Sequence, residues 1–538
     1  MRPLVALAFL APGLAACGGG AGAGAGTGPT APTAMSAETE DFPADASAVH
    51  YHPIHHAAFG PVYGSGCPVN GACGCGEAKT LAEEFSCQMD RLKGNDIPVT
   101  AYLFDGSAWS QGRSSPDNTC SGPECCSWAL GDPAIQRLSR EGVRALLHFW
   151  GGCHEEAQYR RASDRLGRAL LGFYLDDGSS DDELAVVSEF MQSAIPGDWE
   201  NVAKAYQNRE PSTSNTALSK WANAAYVGDL SYDFEGLEEA VNRIVAKARY
   251  MPAPYAEFTG YSYLDGGIPD EEVYYRRLAF GALQPVMAHT PFANSDPWRS
   301  EYGPDLVKTY AYWAWLHREL VPYFYSYAYR MFENPARPAV RRGPMTYSLR
   351  VGDELYVPVV TEPTRTMTIQ LPFGQWVSYW DESVTVSGTL SAYPVPLGGE
   401  PVFIRLGALI PMEVERATTG HGTPQSAGSL TVLVYPSGTT SFRYREDART
   451  EWITFTSALE GDRLTLTAAP GLPGQPVLYR VARWAEAPQS VAVEGAQVTV
   501  NQGGATPRVF TEAAVDGSRT SAWFYDAAAR RLVVKIVP

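Results

Sequence analysis

The chain has 538 residues, 45% hydrophobic and 19% charged, with a formal net charge of −17. That length accommodates about three domains of ordinary size. The acidic balance argues against nucleic-acid binding, which calls for basic faces. The 13 Trp and 29 Tyr suit sugar stacking and core packing equally.

The N-terminus reads as a targeting segment: Arg2, an apolar core from Leu4 to Leu10, then Leu14-Ala15-Ala16-Cys17. This resembles the lipobox of a bacterial lipoprotein, which implies cleavage before Cys17 and a lipid on its thiol. Residues 1–16 are then a signal peptide and 17–46 a flexible tether of Gly, Ala, Thr and Pro. The expected location is membrane-anchored, in the periplasm or at the cell surface. No later apolar run approaches the roughly 18 residues of a span, so the lipid would be the membrane contact. The other eight cysteines all fall between Cys67 and Cys153. An even, clustered set in an exported chain predicts disulfides, with no pairing readable. The crowded Cys73-Gly74-Cys75 and Cys125-Cys126 spacings fit zinc less well. His50, His52, His55 and His56 lack a partner at metal-ligand spacing, so no metal or other cofactor is expected.

From about residue 57 an apolar run, a polar or Gly-rich loop and a helical pattern alternate. The predicted strands are Ala58–Tyr63, Val99–Phe104, Val143–Phe149, Leu170–Leu175, a weak one near Thr213–Leu218, Ala222–Val227, Tyr255–Thr259 and Pro285–Met287. Helical patterns fall at Leu81–Lys93, Ala134–Glu141, Asp182–Ser193 and Leu237–Tyr250, with an aromatic helix over Lys308–Phe332. Eight β-then-α units predict a (β/α)8 TIM barrel over residues 47–334. After about residue 335, short alternating runs with Gly and Pro turns predict two C-terminal β-sandwich domains, at 335–417 and 418–538. The Gly- and Ser-rich stretch Thr418–Ser429 divides them.

Several polar groups stand where apolar runs end. Asp105 follows the second, Trp150 and His154 the third, Asp176 and Asp177 the fourth, Asp229 the sixth and His289 the eighth. In a barrel these ends share one mouth, where catalysis sits. Each alone has a plain structural reading as a cap, a surface charge or a packed histidine. Together they supply what glycoside hydrolysis needs, two carboxylates across a mouth.

Three segments carry a family resemblance. GFYLDDG (172–178) is similar to the strand-four segment that ends in the nucleophilic aspartate of glycoside hydrolase family 31, the α-glucosidase/α-xylosidase group. Lys220–Leu230 is similar to the "W-x-G-D" segment that carries its acid/base. Glu272–His289 is similar to "E-L-Y-x-R-W…P-x-x-R-x-H", with His289 read as the final histidine. HRELVPYFYSYAY (317–329), LPFGQWVSYW (371–380) and PVFIRLGALIP (401–411) resemble its post-barrel helix and proximal sandwich, and Phe442–Asp447 its distal one.

The resemblance implies Asp176 as nucleophile and Asp229 as acid/base, with Asp105 and His289 binding the sugar and Arg209 near the nucleophile; Trp150, at the third strand end, is expected to bind substrate by its position. It implies a carbohydrate substrate and a retaining mechanism, with carboxyls about 5–5.5 Å apart. The chain departs from the family pattern at Asp177-Gly178-Ser179, Tyr226, Tyr261–Leu264 and Ala288. The tether runs almost directly into the first strand, so the family's N-terminal β-sandwich is expected to be missing. The expected activity is hydrolysis of α-glycosidic bonds through a glycosyl-aspartate. The alternatives are an α-transglycosylase using the same intermediate, and a carbohydrate-binding lipoprotein with little or no catalysis.

Overall fold

A computed structural model describes residues 60–65, 81–104, 130–149, 156–175, 203–207, 224–228, 230–249, 251–258, 270–289, 296–334, 338–446 and 450–538, with the single positions 189 and 193. Cys17, the histidine run and most of the predicted helix at Asp182–Ser193 lie outside the described residues. Cys87 is described and is disulfide-bonded, to a partner outside them.

Eight short strands form one sheet: β1 (Pro61–Ser65), β2 (Ala101–Phe104), β3 (Arg144–Phe149), β4 (Leu170–Leu175), β5 (Ala203–Gln207), β6 (Ala224–Tyr226), β7 (Ala253–Tyr255) and β8 (Met287–His289). Their order is β7-β6-β5-β4-β3-β2-β1-β8 and every pairing is parallel. Beyond the last paired residue of β7, Glu257 makes a parallel bridge with Ala288 of β8. Phe258 N–H donates to the Ala288 carbonyl at 3.2 Å.

The fifth strand corrects the sequence reading. It lies at Ala203–Gln207, about ten residues before the expected Thr213–Leu218. Ala-Lys-Ala-Tyr-Gln has no apolar run and no β-branched residue. Pairing with β4 on one side and β6 on the other defines this strand, and such neighbours outweigh intrinsic preference.

Helices occupy the connections: α1 (Leu81–Gly94), α2 (Asp132–Glu141), α3 (Glu156–Leu166), α4 (Phe234–Lys247) and α5 (Glu271–Ala282), then α6 (Pro304–Glu319) and α7 (Val321–Glu333). Their ends carry legible signals. Gly142 closes α2 at φ 68°, a left-handed position where glycine costs least. Asp233 caps α4 by accepting from Gly236 N–H, and Asp270 caps α5 through Glu272 N–H. The single aromatic helix expected over Lys308–Phe332 is two helices meeting at Leu320. Pro322 stands in the first turn of α7, where its missing N–H is harmless, whereas mid-helix it would clash with the carbonyl four residues back.

The C-terminal half is built of β-sheet. A six-stranded sheet spans Val340 to Arg405 and a two-stranded one pairs Thr366–Gln370 with Thr389–Pro394. Tyr356, Ile369, Leu371, Trp376 and Phe403 pack between them. Two five-stranded sheets follow. Leu409–Met412 pairs with Leu430–Val434, so the strand immediately before the Thr418–Ser429 stretch already belongs to the farther pair of sheets. The changeover therefore lies near Gly407, ahead of the expected boundary at 418. Leu409–Met412 has the same apolar character as the strands on either side of it, so composition does not mark the switch.

A buried arginine joins the two halves. Arg276 of α5 donates to Glu400 at 2.7 Å and to the carbonyls of Thr364 and Val395 at 2.6 and 2.9 Å. Among the described residues no helix is long and apolar enough to cross a membrane.

Candidate active site

Among the described residues, the parallel sheet has one face covered by helices and one face without them, and the side chains identify each. Phe173 meets Tyr159 of α3 edge-on at 4.9 Å, and Tyr102 and Phe104 pack on Phe85 of α1. Phe258 packs on Tyr274 of α5 and Tyr310 of α6. Alternation along a strand then turns Tyr174 and Leu103 to the other face. There an aromatic row crosses the sheet: His148–Tyr174 at 5.0 Å, Tyr174–Tyr226 at 6.2 Å and Tyr226–Tyr255 at 5.7 Å. All four side chains are buried. The row belongs to β3, β4, β6 and β7 and forms a floor just below the carboxyl ends of those strands.

Asp105, Trp150, Asp176, Asp177, Arg209 and Asp229 lie outside the described residues. The strands that lead to them are described: β2 ends at Phe104, β3 at Phe149, β4 at Leu175, β5 at Gln207 and β6 at Tyr226. Moving β5 to Ala203–Gln207 brings a strand end to within two residues of Arg209 in sequence, a link the weak Thr213–Leu218 assignment had missed. Gly228 has φ 98°, so strand geometry ends before Asp229.

His289 is the one expected site residue that the structure describes, and its placement is a correction. It pairs in register with Tyr63, whose hydroxyl reaches Gln88 of α1. Its Nδ1 lies 3.1 Å from the Tyr310 hydroxyl, and Tyr63, Phe258, Tyr274 and Tyr310 surround the ring. Those neighbours sit on the helix-covered face, so the imidazole points away from the aromatic floor and packs against the helix layer. The motif shows the reason. With Pro285 and Ala288 matched to P-x-x-R-x-H, the terminal histidine position falls on Thr290, and His289 is the intervening residue that alternation turns outward.

The sequence reading missed a buried acidic group near the same edge. Tyr63 hydroxyl lies 3.3 Å from Asp296 Oδ1, and Glu84 of α1 is 3% exposed with no hydrogen-bond partner among the described residues on either carboxylate oxygen. Burial pushes the Glu84 carboxyl up to about 7, helped by repulsion from Asp296. Burial likewise pushes Asp296 to about 7, against Arg91, the Tyr63 hydroxyl and Arg299. Neither residue follows an apolar run, and Glu84 reads as a favourable first-turn acid of a helix. Glu257 was also missed. It is buried two residues after Tyr255 on the helix-free face and adds to the upward shift that burial imposes on the Tyr255 hydroxyl. Among the described residues no group of three or more His, Cys, Asp or Glu is placed to hold a metal.

The raised carboxyls set a pH dependence. A buried acid at about 7 in the folded chain, against about 4.3 unfolded, keeps its proton in the native state between those pH values while the unfolded state sheds it. Stability is therefore fullest below about pH 4 for these groups and falls as pH rises toward 7. Melting temperature measured from pH 5 to pH 8 should drop, and Glu84→Gln should flatten part of that drop. An identical slope in the variant would remove Glu84 from the account.

No protein-family profile matches the chain. An isomaltosyltransferase of Sporosarcina globispora is 24% identical over 353 residues, covering 60% of this chain and 31% of that protein. Among solved structures, the cycloalternan-forming enzyme of Listeria monocytogenes, in complex with a pentasaccharide substrate, matches with a TM-score of 0.69 at 17% identity, over 90% of this chain and 54% of that one. The Flavobacterium johnsoniae GH31 dextranase complexed with isomaltotriose matches with a TM-score of 0.67 at 15% identity, over 90% of this chain and 70% of that one. The chain thus spans about a third of the curated relative and about half of the Listeria enzyme. In fold, and at a distance in sequence, the chain resembles the enzymes of glycoside hydrolase family 31.

Proposed function

We propose that this chain is a retaining α-glycosidase whose eight parallel strands close into a (β/α)8 barrel. The bridge from Glu257 to Ala288, next to the β1–β8 pairing, supports closure. The observation that carries the functional reading is the orientation of Tyr174. It faces the helix-free side, and continued alternation would set Asp176 on that side and Asp177 on the other. The same parity would set Asp105 with Leu103 and Trp150 with His148, and the backbone register places Gln207, two residues before Arg209, beside Tyr226. Because β4, β5 and β6 are parallel neighbours, their carboxyl ends lie at one edge of the sheet, and Asp176, Arg209 and Asp229 follow those ends within three residues in sequence.

In this reading the Asp176 carboxylate attacks the anomeric carbon as the glycosidic bond breaks, and Asp229 gives its proton to the departing oxygen. The product of that step is a glycosyl-aspartate. Asp229, now a carboxylate, takes a proton from water, whose oxygen displaces Asp176 with net retention. If a sugar hydroxyl replaces water, the same steps give transglycosylation. That second reading has specific support, since the matched relatives include a transferase and a cycloalternan-forming enzyme.

A panel of aryl α-glucoside, α-xyloside and α-galactoside, followed by NMR of the first-formed anomer, tests the proposal. The expected result is turnover of at least one substrate with an α product, and transfer products when an acceptor sugar is added. A β product would rule out retention. Sugar binding without turnover would favour a carbohydrate-binding protein on this fold.

A further inference from the structure

Arg277 is a buried cation that the mechanism above does not use. It lies on α5 and is 1% exposed. The helix face toward the strand ends would ordinarily carry an apolar residue, and the family motif has tryptophan at this position. Here the guanidinium spans two adjacent strand ends. Its Nη2 donates to the carbonyls of Ser231 and Asp233, the latter at 2.8 Å, in the segment that follows β6. Its Nη1 donates to the Phe258 carbonyl, just past β7, at 3.4 Å.

The surrounding residues are shaped around these bonds. A Cβ at Gly236 would stand 1.8 Å from the Ser231 carbonyl oxygen and 2.7 Å from Arg277 Nη2, so the position has room only for glycine. The Asp233 carboxylate accepts from Gly236 N–H at 2.8 Å and from the Ser231 hydroxyl at 2.7 Å, which folds the segment back onto the first turn of α4. Burial lowers Arg277 to about 10, with Asp233 and Tyr226 working against the fall, so it keeps its charge at neutral pH. A cation with this many carbonyl partners is worth more than a neutral donor, because charge-assisted bonds are roughly twice as strong.

We propose that Arg277 is a positioning residue for the acid/base step: it clamps the segment 230–233 to the end of β7 and thereby holds Asp229, two residues before Ser231. The inference rests on the reading of Asp229 as acid/base. A guanidinium suits the task because its planar fork reaches three carbonyls from one buried stem, whereas a lysine ammonium cannot hold the same geometry. Displacement of a catalytic carboxyl by about 1 Å is enough to cost on the order of a hundred-fold.

Two measurements on Arg277→Met and Arg277→Lys test this. The first is kcat/KM for aryl glycosides of graded leaving-group ability, with Asp229→Ala run in parallel. Arg277→Met should lose about a hundred-fold on poor leaving groups and much less on good ones, with KM nearly unchanged and Arg277→Lys between it and the wild type. An equal loss across all leaving groups in Arg277→Met, alongside a graded loss in Asp229→Ala, would overturn the clamp and leave the acid/base reading standing. No graded loss in Asp229→Ala would instead overturn that reading. The second measurement needs no activity: hydrogen exchange over residues 228–236 should speed up in Arg277→Met while α1 and α2 keep their protection. Unchanged exchange there would overturn the clamp whatever the kinetics show.

Discussion

Asp176→Ala should abolish turnover for every leaving group. The loss should be on the order of ten thousand-fold or more, the scale seen when a nucleophile is removed from an enzyme that depends on it. A good leaving group helps only if something attacks the anomeric carbon, and alanine offers nothing. Asp177→Ala is the informative neighbour. Phe173 packs on Tyr159 of α3, so the odd-numbered residues of β4 face the helices and Tyr174 faces the aromatic floor. On the proposed reading Asp177 stands outside the reacting geometry, so its loss should cost less than about ten-fold. A dead Asp177→Ala beside an active Asp176→Ala would mean that the alternation breaks at the strand end. A 5-fluoroglycosyl donor should label wild type and leave Asp176→Ala unlabelled, and mass spectrometry of the peptide would place the ester directly.

Much of the architecture was legible because each unit carries its own local signal. The apolar runs at β2, β3 and β4, and the helices α1 and α2, sit within a few residues of where periodicity puts them. The parts that escaped depend on partners distant in sequence. The β5 segment Ala203–Gln207 is a strand by virtue of β4 and β6, and nothing in its own five residues announces it. Leu409–Met412 could have ended the six-stranded sheet or begun the next one. Pairing with Leu430–Val434 decides, and pairing is invisible in a linear pattern.

The same distinction explains the site. Carboxylates at strand ends announce themselves, because a run of apolar residues stopping at Asp is unusual composition. Glu84, Asp296 and Arg277 give no such signal: two lie on helices and the third follows β8 by seven residues. Their significance comes from burial, which a sequence does not display for charged residues. The His289 assignment failed differently. The motif was recognised one residue out of register, and in a strand a one-residue shift reverses the face. Tyr310, set by a helix that begins fifteen residues later, is what exposes the error.

Asp229→Ala separates catalysis from binding most sharply. The acid is needed in proportion to the basicity of the departing oxygen, so the variant should lose about 10²–10⁴-fold on aryl glycosides with poor leaving groups. Phenols acidic enough to leave unaided should show little loss in the first step. For these substrates the glycosyl-aspartate should accumulate, because the variant also lacks the base that activates water. A burst of phenol followed by a slow steady state is then expected. Azide needs no deprotonation, so adding it should raise the steady-state rate and yield the glycosyl azide with the substrate's own α configuration, since it attacks the face that water would have used. Neither a burst nor an azide effect on these activated substrates would mean that glycosylation still limits the rate and would weaken the assignment. A uniform loss across all leaving groups, with no azide effect, would move the acid/base role elsewhere along the strand ends. Glu257 would be the first residue to test in that case, being a buried carboxylate at the end of the neighbouring strand and two residues beyond Tyr255 of the aromatic row.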